Sequence, residues 1–116
     1  MVDESILIPI KRLIDALTKK NIRANKIILY GSYAEGKNTE YSDIDIAIVS
    51  DDFGKDIIEE KMLLFRLGSR IDPRLEAIPL TPTALQEDTW VPLIYEIRTK
   101  GVDLLITEWK HNGVSL

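Results

Sequence analysis

Two aspartates one residue apart, Asp43 and Asp45, open an apolar run that lasts to Val49, and Gly31-Ser32 closes the apolar run before it. Strand side chains alternate between faces with a period of two. A strand over the second run therefore turns Asp43 and Asp45 to one side and sends Ile44 and Ile46 into a core. Like charges about 4 Å apart repel by roughly 4 kcal/mol at an effective dielectric near 20, which a cation or a shared proton must offset. A hard divalent ion suits such oxygen-only ligands, and Mg²⁺ takes one or two carboxylates together with substrate phosphate oxygens. Gly31 has no Cβ, so its backbone can approach a ligand closely. If Ser32 opens a short helix through Gly36, its hydroxyl and the free N–H groups there favour an anion. One half of the stretch holds phosphate; the other holds the metal that bridges to it.

The elements that must position these groups can be read in chain order. Ile6, Ile10, Leu13, Ile14 and Leu17 fall on one stripe of a helix from about Ser5 to Lys20, expected to pack on the sheet, with Pro9 tolerable only in its first turn. A polar connection, Asn21 to Asn25, leads to the first strand, Ile27 to Leu29. Lys37 to Tyr41 is a solvated loop, and Ser42 orients its return to the second strand. That strand ends near Ser50, and Asp51-Asp52-Phe53-Gly54 reads as an exit turn or helix cap rather than a second metal cluster. A helix from about Lys55 to Ser69 is expected to bury Ile58, Met62 and Phe65, with Leu64 widening the stripe. Asp72-Pro73 punctuates the start of a strand over Arg74 to Leu80, in which Leu75 and Glu76 take opposite faces and Pro79 marks an end or an edge. Thr81-Pro82-Thr83 opens a helical turn, and Thr89 is expected to cap a second segment that admits Pro92 and turns Leu93, Ile94 and Ile97 to the core. Arg98 and Lys100 complement its C-terminal dipole before Gly101, and Val102 to Ile106 reads as a last short strand. The only histidine, His111, lies in the tail with no nucleophile beside it and reads as solvated; Trp109 folds back or anchors a partner.

Bulk properties exclude several classes. The 116 residues suit one domain with a core of its own, residues 107–116 forming a short tail. Zero cysteines remove disulfide frameworks, thiol catalysis and thiolate metal sites, and they suit a reducing cytoplasm. The acidic start MVDESILIPI lacks the positive charge of a signal peptide, and no apolar run reaches membrane-spanning length, so a cytoplasmic location is expected. A formal charge of −4 argues against long nucleic acid as the main partner. It is compatible with a nucleotide carried in with its metal, or with a basic protein.

Gly31-Ser32, ten residues, then Asp43-x-Asp45 resembles the signature of the nucleotidyltransferase (DNA polymerase β-like) superfamily, and the short chain resembles its minimal branch. The likeness covers about residues 1–106. It implies a two-layer α/β (α+β) fold, a mixed sheet of about four strands with helices mainly on one face. It implies transfer of a nucleoside monophosphate, AMP from ATP or its counterpart from another nucleoside triphosphate, to a hydroxyl, with two Mg²⁺ held by Asp43 and Asp45 and the outgoing phosphates by Gly31 and Ser32. Glu76 matches the position of the family's third carboxylate, as metal ligand or as acceptor of the attacking hydroxyl's proton; its bland alternative is a surface pair with Arg74, and Asp72 is its rival for the role. Lys37 could reach a triphosphate. Where relatives commonly carry arginine in the turn, this chain has Ala34 and Glu35, so no basic contact is implied there. Members of the minimal branch are often antitoxin partners of HEPN-domain proteins, which implies such a partner here. Two other expectations stand beside it: a binding module that neutralises a partner by occlusion alone, and a self-contained enzyme on a small molecule, as a homodimer whose second subunit closes the cleft.

Overall fold

The computed structural model describes residues 4–104. Apolar residues at helical spacing make α1 (Glu4–Thr18), and runs rich in isoleucine make β1 (Lys26–Tyr30) and β2 (Ile44–Val49), with the one-turn α2 (Ser32–Glu35) between the strands. α3 (Ile57–Ile71) then leads to β3 (Leu75–Leu80), followed by α4 (Pro82–Glu87), α5 (Pro92–Lys100) and the two-residue β4 (Val102–Asp103). The sheet order is β3-β2-β1-β4. β1 runs antiparallel to both β2 and β4, while β2 and β3 are parallel, joined by α3 as the crossover. The mixed four-stranded α+β sheet expected from the sequence is therefore present.

Each face of the sheet has its own core. Ile27, Leu29, Ile44, Ile46 and Ile48 meet α1 and α3 on one side. Ile28, Tyr30, Ala47, Val49 and Leu80 meet α4 and α5 on the other. The two long helices share the first face, and the second carries only short ones. Because Asp45 and Glu76 alternate with Ile44 and Leu75, both acids belong to the second face.

Four sequence expectations are corrected. Pro9 lies beyond the first turn of α1; its ring is buried in the core, which offsets its missing hydrogen bond. α3 turns the other way: Leu64 and Gly68 are buried and Leu63, Leu67 and Ile71 pack beside them, whereas Ile58, Met62 and Phe65 face solvent. Leu93 is exposed, leaving Ile94 and Ile97 as the buried residues of α5. Val91, not Thr89, occupies the N-cap of α5, with no side-chain bond, whereas Thr81 caps α4 by accepting the Ala84 N–H. Asp56 caps α3 in the same way through the Glu59 N–H. Trp109, His111 and the end of the expected last strand, with the rest of the tail, lie outside the described residues.

Candidate active site

β1 ends in Tyr30, and the chain then turns sharply at Gly31, whose φ of 72° and ψ of −152° occupy a region that essentially only glycine enters. A Cβ there would also collide with the Asp45 carboxylate, so the backbone and that carboxylate are packed as closely as glycine permits. The Gly31 carbonyl accepts the N–H groups of Ala34 and Glu35, both at 3.1 Å. Gly36, in the left-handed conformation, ends the turn, and the Lys37 N–H closes it on the Ser32 carbonyl at 2.9 Å. Tyr33 pins this turn to the next layer, its hydroxyl accepting from Arg74 Nη1 at 3.3 Å.

Strand register brings the acids together. Tyr30 pairs with Asp45, and Asp45 with Glu76, so the three form one row across β1, β2 and β3 on the face shared with α5. Asp43 and Glu76 are exposed and Asp45 is half-buried, so the row opens to solvent. Burial, then repulsion from Glu76, Asp43 and Glu96, pushes the Asp45 carboxyl up to about 6. The same burial, with the charges of Asp45, Glu76 and Glu96, raises the Tyr30 hydroxyl above its usual range, so it stays a neutral phenol. Asp45 and Glu76 are thus register partners on one face, and Asp43, one residue before β2, lies near enough for its charge to act on Asp45.

Glu76 does not pair with Arg74. That arginine instead grips Asp72 at two points, Nε to Oδ1 at 3.1 Å and Nη2 to Oδ2 at 2.8 Å. The hydrogen bond from Arg74 holds the Asp72 carboxyl below its ordinary range, and Asp72 also ends α3 as its C-cap. Asp72 is therefore structural, and Glu76 is left facing the site. Asp51 and Asp52 sit at the opposite end of the sheet, accepting from Asn25 and from the Arg23 N–H, as a turn that ties β2 to the connection after α1. They rim a groove of about 650 Å³ remote from the carboxylate row. The side chain of Lys37 is exposed and forms no ion pair among the described residues.

Two site residues were missed from sequence. Tyr30, the residue before the glycine turn, is buried and is the register partner of Asp45 on β1. Glu96 belongs to no motif in the sequence; only the packing of Ile94 and Ile97 on the second core brings its charge to bear on Asp45.

The donor set suits a hard cation: it is all oxygen, and the Asp45 charge has no positive neighbour among the groups that shift it. Among the described residues no three such ligands close into a protein-only cage. An open pair of carboxylates is what a metal arriving on a nucleotide needs, since phosphate and water supply its other ligands.

A nucleotidyltransferase domain model matches residues 10–100. A Methanocaldococcus jannaschii protein that carries the name of a protein adenylyltransferase is 47% identical over 70 residues, 59% of this chain and 70% of the relative. A second protein of that organism and description is 26% identical over 82 residues, 71% of this chain and 80% of its own length. Among solved structures, a Sulfolobus solfataricus nucleotidyltransferase superposes with a TM-score of 0.55 at 16% identity, over 89% of this chain and 87% of its own, a likeness of fold. A chain from a toxin–antitoxin complex crystallised with AMP-PNP superposes equally, TM-score 0.55 at 26% identity, over 86% of each chain. With the domain model spanning the turn, the acid row and the α5 wall alike, this chain belongs to the nucleotidyltransferase domain family and is an enzyme of that class.

Proposed function

We propose that the chain transfers a nucleoside monophosphate, AMP from ATP, to a hydroxyl on a HEPN-type toxin protein, and so acts as its antitoxin. The observation that carries this is the solvent-open register pair of Asp45 and Glu76 beside the Gly31 turn, with Asp43 one residue before β2. The adenylyltransferase name of the relatives and the toxin–antitoxin neighbour with its ATP analogue support the nucleotide and the kind of acceptor.

In this reading Asp43 and Asp45 hold a pair of Mg²⁺ ions, with Glu76 beside them. When bound, the metal neutralises phosphate charge and acidifies the attacking hydroxyl. The bare Cα of Gly31 lets the turn lie directly against the Asp45 carboxylate, and the Ser32 hydroxyl donates to the outgoing β/γ-phosphates. Lys37, reaching from the loop, adds a cation to the same end. The acceptor oxygen bonds to the α-phosphorus, the bond from that phosphorus to the bridging oxygen breaks, and pyrophosphate leaves. Glu76 receives the acceptor's proton. Positioning and electrostatic stabilisation supply most of the rate in such transfers, and the carboxylates would serve it by holding the cations that neutralise the phosphate charge. An exposed row admits an acceptor as bulky as a protein side chain. No helix among the described residues is long and apolar enough to cross a membrane, and reaction in the cytoplasm, where ATP and a toxin would both be present, completes the proposal.

The test uses the purified pair, this chain and a HEPN-type partner, with Mg²⁺ and ATP labelled at the α-phosphate. Label should pass to the partner and be lost with Asp43→Ala. Inhibition of the partner that persists in Asp43→Ala, with no label in either case, would show neutralisation by occlusion instead. Pyrophosphate release with a small hydroxyl compound and no partner would show a self-contained enzyme.

A further inference from the structure

The outer face of α3 is built like an interface. Ile58, Met62 and Phe65 recur at helical spacing and are 68%, 51% and 73% exposed, so three large apolar side chains lie in a row in water. Singly exposed apolar residues need no explanation, but a continuous stripe does. At 100° per residue, Arg66, Arg70 and Glu59 fall along one flank of this stripe and Lys61 along the other. All four are exposed, and none has an ion pair among the described residues. Glu60 is not available to pair, since its carboxylate already accepts from the N–H groups of Gly54, Lys55 and Asp56.

We infer that this face packs against the α3 of a second copy of the chain, antiparallel, about a two-fold axis crossing the stripe near Met62. In an antiparallel pair like flanks meet, because the two-fold operation reverses the helix while keeping its faces opposed. Glu59 and Arg66 stand equally far from a point between Met62 and Leu63, so each Glu59 comes level with Arg66 of the second copy, with Arg70 one turn further along. Both ends of the seam gain an acid–base pair, and Phe65 packs across the axis beside Met62. A parallel pairing instead sets this flank against the Lys61 flank and leaves both arginines without an acid. Charge complementarity therefore selects one orientation as well as one occupant. α3 lies on the face of the sheet opposite to the acid row, so this dimer leaves both catalytic faces open, unlike one whose second subunit covers the cleft. The inference does not rest on the transferase reading.

Sedimentation equilibrium over concentrations up to ~1 mM, with circular dichroism as the folding control, tests it. The wild type should shift from monomer to dimer mass. Phe65→Asp should weaken association by about tenfold or more while leaving the spectrum unchanged, because the residue is already in solvent. Glu59→Arg should weaken it too, and the triple change Glu59→Arg, Arg66→Glu, Arg70→Glu should restore it. A wild type that stays monomeric throughout, a dimer that survives Phe65→Asp, or a triple variant no better than Glu59→Arg would overturn the proposal.

Discussion

Asp45 gathers the tensions of the site: it is half-buried, flanked by three other acids, and pressed against the Gly31 backbone. A carboxyl raised above its unfolded value favours the protonated fold, so its contribution to stability is complete below about pH 4 and is lost as pH rises through about 6. Asp45→Asn should therefore raise the melting temperature above pH 7, by roughly 4 °C for about 1 kcal/mol once its partial exposure is discounted, with the gap closing below pH 4. The same substitution should cost about 10²- to 10³-fold in nucleotidyl transfer, measured with labelled ATP, so stability and activity move in opposite directions. Gly31→Ala should cost about 1–3 kcal/mol in denaturant unfolding, because the turn needs a backbone conformation closed to alanine and the new methyl strikes Asp45. The face that Asp45 takes and the glycine turn were legible in the sequence because their geometry is local, set by strand alternation and by one turn. Tyr30 and Glu96 were not, since their roles depend on which strand and helix lie alongside.

α3 shows how far periodicity reaches at the level of elements. Its sequence carries two apolar stripes, one of Leu64, Leu67 and Ile71 and one of Ile58, Met62 and Phe65, and helical spacing fits either. What decides is the parallel crossover from β2 to β3, which sets Leu64 against the sheet and leaves the bulkier set outside. Leu64→Ala should consequently destabilise by about 2–5 kcal/mol, while Ile58→Ala should stay within about 0.5 kcal/mol for the monomer, both read from urea unfolding at low concentration. The strands were easier: isoleucine-rich runs located β1 and β2, and the Asp72-Pro73 turn located β3, to within about a residue at each end. Leu93 and Thr89 were misread because α5 begins at Pro92 and rotates Leu93 outward, a choice made by Ile94 and Ile97 against the second core.

For the molecule as a whole, nucleotide and metal should act as one ligand. A non-hydrolysable ATP analogue with Mg²⁺ at about 100 times its dissociation constant should stabilise the fold by about 2.7 kcal/mol, read as a rise in melting temperature. Removing the metal with a chelator, or Asp45 with Asp45→Ala, should abolish most of that rise. The sheet itself has a further consequence through Pro79. The carbonyls of Arg74 and Leu80 accept from Ile44 and Ser50, so the even-numbered residues of β3 face β2 and Pro79 turns its nitrogen to the free edge. A strand from another molecule arriving there would find a missing donor in mid-ladder, and among the described residues β4 at the opposite margin has two residues. Growth by strand addition, the route to fibrils and to swapped sheets, is thereby obstructed at the β3 border, which turns encounters with other proteins toward the helices and the mouth of the acid row.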